Sequence, residues 1–355
     1  MEQKILLLGS SGLLGSAFKV IASSYMYEVI DWYRKDIDKL VIPPSKPAFR
    51  SLVDQDKLIK EIEKIKPDYV VNCIAYTNVD KAEINNQQNF FANYDIPMAV
   101  SIACGYLGIP NIYYSTDMVF IHNNNRHINK PYREDEVTTN IYSIPTITAY
   151  ASSKWSAEQF TREYPKHYII RTAGLYGGYY NNKTHLINKI VSKFVNGIRC
   201  KYLEDRVIST TYNVDLVKAT LKLLESNARF GTYHITNGGS CTVYEFASFV
   251  IKSLVKILRT SFQYSESFDI NDYIEPCRTI DFKETVHRAR YSVLDNSKFE
   301  IETNTRRPRD WEEAVVDYLN RIAFSIASGL KTKGKQLADP VSTLINSIEF
   351  EVADR

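Results

Sequence analysis

Tyr150 and Lys154 stand four residues apart in the stretch AYASSKW, residues 149–155. On a helix that spacing puts a phenol and an ammonium on the same side, where both can address one target. A solvated helix face gives the same pattern, and among 25 tyrosines such pairs also arise by chance. A second stretch, LLLGSSGLLGSAF, places Gly9, Gly12 and Gly15 in a G-x-x-G-x-x-G spacing directly after an apolar run. Glycines there permit a tight turn and close approach of the backbone to a pyrophosphate, which then rests on a helix N-terminus. Asp31 closes the next apolar run, where an acidic side chain meets a ribose hydroxyl. Arg34 and Lys35 follow it, as partners for a ribose 2′-phosphate or as a solvated loop. A third run, YYSTDMVF (113–120), ends in Ser115, Thr116 and Asp117. Such residues cap turns, but at the carboxyl end of a strand in an open α/β sheet they face a ligand crevice.

These groups need a scaffold, and the first half of the chain supplies its pattern. Short apolar runs at 4–9, 27–32, 68–75, 110–117 and 167–174 read as buried strands. Between them lie amphipathic stretches, including NFFANYDIPMAVSIACGYLG and YASSKWSAEQFTREY, that read as helices. Strand–helix alternation predicts a Rossmann-type, doubly wound parallel sheet. After Gly174 the rhythm changes to mixed short strands and helices, as for a smaller C-terminal α/β domain, and TRRPRDWEEAVVDYLNRI (305–322) reads as a closing helix.

At 355 residues the chain has room for about two domains. A net charge of +3 is too small to argue for nucleic acid or an anionic membrane. Five scattered cysteines without paired spacing indicate free thiols in a reducing compartment, with no metal site and no disulfide framework. The N-terminal apolar run is broken by Gly9, Ser10 and Ser11, and no run reaches membrane-spanning length, so a cytoplasmic protein is expected.

Taken in order, the glycine turn, VVNCIAYTNVDKAE (70–83), STDMVF (115–120), the Tyr150/Lys154 pair and IIRTAGLYG (169–177) resemble an extended short-chain dehydrogenase/reductase. More narrowly, with TTYNVDLVKA (210–219), GTYHITNGGSCTVYEFA (231–247) and RARYSVLDNSKF (288–299), the chain is similar to the dTDP-4-dehydrorhamnose reductase (RmlD-like) group from residue 4 to about 320. The resemblance implies reduction of the 4-keto group of a nucleotide-linked deoxysugar with NADPH or NADH, in deoxysugar biosynthesis for cell-surface polysaccharide. It implies Tyr150 as proton donor, Lys154 lowering the tyrosine pKa and holding the nicotinamide ribose, and Thr116 bonding the substrate oxygen. Cofactor contacts carried over are Gly9, Ser11, Gly12, Leu13, Leu14, Gly15, Asp31, Arg34, Leu52, Ile74, Ala75, Tyr76 and Tyr114, besides Tyr150 and Lys154. Substrate contacts are Thr116, Asp117, Gly174 and Arg288. The implied domains are a cofactor domain at 1–174 and 206–235, a substrate domain at 175–205 and 236–322, and an extension at 323–355.

Several positions depart from the family pattern. Gly174 replaces a Trp that borders the sugar, Met118 replaces a Tyr, and an Arg-Pro pair is Arg288-Ala289. A Gly-x-Pro-Thr segment reads VISTT (207–211), an aspartate gives way around Ser51 and Leu52, and the loop 135–149 is longer. The catalytic set is intact while the sugar pocket is rebuilt. The competing expectations are a nucleotide-sugar epimerase and a non-catalytic regulatory subunit of the kind that partners methionine adenosyltransferase. A homodimer stays open.

Overall fold

A computed structural model of the chain describes residues 2–41, 52–120, 130–137, 147–178, 185–281 and 284–331. In chain order its elements begin with β1 (Gln3–Leu8), α1 (Leu13–Ser24), β2 (Tyr27–Trp32), α2 (Arg34–Asp38), α3 (Gln55–Ile65) and β3 (Tyr69–Asn72). Next come α4 (Val79–Ile84), α5 (Asn86–Phe90), a π-helical turn (Phe91–Asp95), α6 (Ile96–Leu107), β4 (Asn111–Thr116), α7 (Ala149–Arg162) and β5 (His167–Thr172). Then follow β6 (Leu175–Tyr176), α8 (Leu186–Val195), β7 (Cys200–Leu203), β8 (Val207–Ile208), β9 (Thr211–Tyr212), α9 (Asn213–Glu225), β10 (Gly231–His234) and β11 (Cys241–Thr242). The chain closes with α10 (Val243–Phe262), β12 (Ile274–Cys277), β13 (Tyr291–Ser292), α11 (Ser297–Thr303) and α12 (Trp311–Lys331).

The contacts divide the chain into two units. The first holds the described residues of Met1–Ala173, Asn213–Thr236 and Glu284–Pro308. Its centre is a six-stranded sheet in the order β10-β5-β4-β3-β1-β2, with every neighbouring pair parallel. Ile5 to Leu8 of β1 are fully buried, the expected fate of a continuous apolar run covered on both faces. Helix α3 shows how the cover forms. Asp54 caps it by accepting from the Lys57 amide at 3.1 Å, and Leu58 and Ile62, one turn apart, go into the core. Each such side chain contributes roughly 1.5–3 kcal/mol on burial. The strand order reverses between β1 and β3, so the crevice beyond their carboxyl ends is the place where such sheets take ligands.

The stretch expected as a single helix over NFFANYDIPMAVSIACGYLG is broken into α5, the π-turn and α6. The cause is Pro97, four residues after Asn93. Lacking an amide proton, it cannot donate to the Asn93 carbonyl, which accepts instead from the Tyr113 hydroxyl at 3.3 Å.

The second unit comprises the described residues of Gly174–Tyr212, Asn237–Lys283 and the segment from Arg309. Strands β6 and β9 pair in parallel, as do β7 and β12, while β8 and β11 run antiparallel. Helices α8, α10 and α12 pack together around Tyr176, Tyr212, Phe246 and Tyr318, whose rings approach at 5.5–6.3 Å. Glu284–Pro308, assigned from sequence to the substrate domain, clusters with the first unit. The closing helix does not stop at 322: Ile326, Ala327 and Leu330 continue its buried stripe to Lys331. Residues 332–355 lie outside the described part. Among the described residues no helix is long and apolar enough to cross a membrane, and no group of acidic, His or Cys residues has the arrangement of a metal site.

Candidate active site

The glycine turn leaves β1 with Gly9 at φ +79°, in the left-handed region that side chains avoid. Gly15, inside α1, faces back onto it: a Cβ there would overlap the Gly9 carbonyl oxygen. Gly12 has an ordinary φ of −73°, and its Cβ would stop 3.2 Å from the same oxygen. One glycine thus shapes the bend, one seats the helix, and one keeps the surface bare. No side chain caps α1, so its first amides are open to a ligand. Ser10 Oγ is buried in this turn with no partner among the described residues.

Asp31 lies beside the turn at the end of β2, paired in register with Leu7. One carboxylate oxygen takes the Lys19 ammonium and the Tyr33 hydroxyl, while Oδ1 is buried without a partner. Arg34 opens α2, but its side chain lies outside the described part. Leu52 is exposed, next to Ser51, which is not described. After β3 the Asn72 side chain accepts from the Ile74 amide at 3.0 Å, ending the strand earlier than its apolar pattern predicts. The bend brings Ile74 within 3.0 Å of where a Gly9 Cβ would stand. Ala75 is exposed and Tyr76 partly so, with the Tyr76 hydroxyl accepting from Asn85.

Helix α7 starts at a Thr148 cap, whose Oγ1 accepts from the Ala151 amide at 3.0 Å. Glu83 of α4 accepts from the Ala149 amide at 2.7 Å, so the first turn is held from outside as well. Tyr150 is 9% exposed, and its phenol is hydrogen-bonded by Thr116 at the end of β4. Thr116 Oγ1 also reaches Asp117 Oδ1 at 3.1 Å and receives the Met118 amide at 3.2 Å. Burial pushes the Tyr150 phenol up to about 12, opposed by the Thr116 bond and reinforced by the Asp117 charge. Burial likewise lifts the Asp117 carboxyl to about 6, against bonds from Ser292 and Thr116.

Lys154 is 2% exposed; its ammonium lies 4.2 Å from the Tyr113 ring centre and donates to the Tyr114 carbonyl at 2.5 Å. Burial draws it down to about 7, opposed by the negative charge of Glu158 and then by Cys73. In this structure the lysine is turned onto β4, and the Thr116 hydroxyl donates to Asp117. Tyr114 does not line the crevice with its side chain, since its hydroxyl is buried against Thr220 Oγ1 at 2.8 Å. Its contribution is a carbonyl.

Arg288, expected at the sugar, is engaged in the first unit by Asp80 at 2.9 Å and Glu284 at 3.8 Å. Gly174 belongs to the second unit at φ +53°, where a Cβ would come within 2.8 Å of the Ser209 carbonyl. Gly174 also accepts from the Thr211 amide at 3.3 Å. The backbone of the 207–211 segment therefore packs against residue 174 so closely that glycine suits it best. The lengthened loop falls mostly in 138–146, outside the described residues.

Sequence reasoning missed two asparagines that brace the site. Asn93, in the π-turn, bonds both the amide and the carbonyl of Tyr76 at 2.9 and 3.0 Å, and it donates to Asn89 at 2.8 Å. Asn89 donates to the Ala149 carbonyl at 2.9 Å and accepts from Ser153 at 3.2 Å. Two polar residues four apart on an apolar stretch, ahead of a proline, were the available signal.

The model of the RmlD substrate binding domain matches residues 3–324. The spore coat polysaccharide biosynthesis protein SpsK of Bacillus subtilis is 28% identical over 317 residues, 89% of this chain and 96% of its own. A dTDP-4-dehydrorhamnose reductase of Mycolicibacterium smegmatis is 24% identical over 93% of this chain and 89% of its own. A crystal structure of a dTDP-4-dehydrorhamnose reductase from Clostridium acetobutylicum superposes with a TM-score of 0.73 at 28% identity, covering 90% of this chain and 99% of that one. One from Bacillus anthracis in complex with NADP gives 0.72 at 24% identity, over 90% and 100%, a likeness of fold. The chain belongs to the RmlD substrate-binding domain family, among the extended short-chain dehydrogenases/reductases.

Proposed function

We propose that the protein reduces the 4-keto group of a nucleotide-linked deoxysugar, using NADH or NADPH. The observation that carries the reading is the convergence of Thr116, Tyr150 and Lys154 at the carboxyl end of β4, beside the glycine turn of the same sheet. A dinucleotide suits the residues present. The glycine turn and open α1 amides would hold the pyrophosphate, and the unpartnered Asp31 Oδ1 would accept from the adenine-side ribose. When bound, the nicotinamide supplies a hydride to the carbonyl carbon.

Tyr150 gives its phenolic proton to the carbonyl oxygen, so that C=O becomes CH–OH, while Thr116 donates a hydrogen bond to that oxygen. Lys154, swung from the Tyr114 carbonyl, would hold the ribose hydroxyls and stabilise the phenolate left on Tyr150. The low dielectric of the buried site strengthens each of these interactions. The altered 174 and 207–211 positions favour a sugar other than 4-keto-rhamnose. The test is turnover of purified protein with NADH or NADPH and a panel of 4-keto nucleotide sugars. Nucleotide-dependent reduction of at least one is expected, with the rhamnose precursor not the best substrate; no turnover of any would overturn the reading.

A further inference from the structure

One turn beyond Lys154, α7 carries Glu158, and one turn further Arg162, so Tyr150, Lys154, Glu158 and Arg162 form a single column along the helix. Glu158 is fully buried. Arg171 of β5, also fully buried, grips it with two bonds, Nε to Oε1 at 2.9 Å and Nη2 to Oε2 at 2.7 Å. Arg162 adds a third at 2.7 Å. Arg171 is itself fixed by the Glu134 carbonyl at 3.0 Å and by His234 of β10 at 3.4 Å. One carboxylate therefore ties α7 to β5 one helical turn beyond Lys154.

A buried carboxylate is costly unless paired, and a buried pair adds little net stability over an apolar one. We propose that Glu158 is a positioning residue for the site: gripped by Arg171, it fixes α7 against β5 and supplies the negative charge that favours the ammonium form of Lys154 in its buried seat. Facing Lys154 are the Tyr113 ring and Tyr114 carbonyl of β4, Cys73 beyond β3, and Tyr150 and Glu158 of its own helix. Of these, Glu158 is the strongest influence holding the proton on the lysine, and Arg171 and Arg162 keep Glu158 below the usual carboxylate range. Beyond Arg171, Glu134 and Lys298 complete the charged surroundings, and His234 is driven to its neutral form by burial and by Arg171.

This inference rests on Lys154 having the role proposed above, but its test does not need a substrate. In the full-length protein with selectively labelled lysines, the Lys154 side-chain resonance, assigned by its loss in Lys154→Met, is titrated by NMR. The wild-type midpoint is expected near about 7. Glu158→Gln should lower it by roughly one pH unit or more, the effect of removing an opposite charge one helical turn away, and Glu158→Asp should restore most of the shift. Arg162→Gln, altering a side chain at the rim, should move the midpoint upward, because it unmasks the carboxylate. If Glu158→Gln does not fold, Arg162→Gln carries the test, with an unmoved midpoint overturning the proposal. A folded Glu158→Gln with the wild-type midpoint also overturns it. An absence of turnover in the sugar panel would leave these titrations unchanged, so the two readings fail separately.

Discussion

The glycine turn and the column on α7 lie in the same unit, yet they are built in opposite ways. The turn works through what it lacks: Gly9, Gly12 and Gly15 expose backbone, and their spacing alone defines the shape. The column works through side chains whose states depend on partners brought from elsewhere, with Thr116 on β4, Arg171 on β5 and Asn89 on α5. Backbone-built sites should therefore fail by steric overlap, and side-chain-built sites by charge and proton position.

The largest effect is expected at Gly15. In Gly15→Ala the new methyl meets the Gly9 carbonyl, so the turn must open, at about 1–3 kcal/mol of stability. Nucleotide affinity measured by calorimetry should be lost together with a drop in Tm; an unchanged affinity would remove the turn from the site. Lys154→Met comes next. It should leave the fold intact but weaken nucleotide binding and slow turnover together, because one ammonium serves both. A loss confined to turnover would separate those roles.

The third effect is a pH signature. Lys154 holds its proton only below about 7 in the folded chain but up to 10.5 when unfolded. Between those values the unfolded state binds the extra proton, so stability should rise with pH across that window. Denaturant melts of wild type and Lys154→Met should diverge there, the wild type gaining on the variant; parallel curves would contradict the buried-lysine assignment. The smallest effect is Gly12→Ala. With an ordinary φ and 3.2 Å of clearance, it should barely change Tm while still weakening the nucleotide. A large stability loss would mean that this glycine, too, is needed by the turn itself.

The same contrast decides what could be read in the sequence. Buried parallel strands announce themselves as apolar runs, and β1, β2, β4 and β5 fall where those runs lie. The glycine turn was legible because conformational permissiveness is a local property. The side-chain partners were not: Glu158 and Arg171 read as unremarkable charges on a helix and a strand, and only tertiary packing makes them a buried pair. Tyr114 was carried over from the resemblance as a cofactor contact, and that its hydroxyl turns to Thr220 was not legible, because a strand buried on both faces does not show which side meets the crevice. The π-turn was hidden in a good helical pattern, although Pro97 held the reason for it. Arg288 could not be placed, since its Asp80 partner lies more than two hundred residues away.

The most direct measurement compares Tyr150→Phe with wild type in single-turnover reduction of the accepted 4-keto sugar, alongside a nucleotide titration. The ring still packs and only the hydroxyl that Thr116 addresses is lost. The account predicts unchanged nucleotide affinity and a rate lower by roughly 10²–10⁴-fold, the contribution of a positioned general acid. A Tyr150→Phe protein that reduces the sugar at the wild-type rate would contradict it.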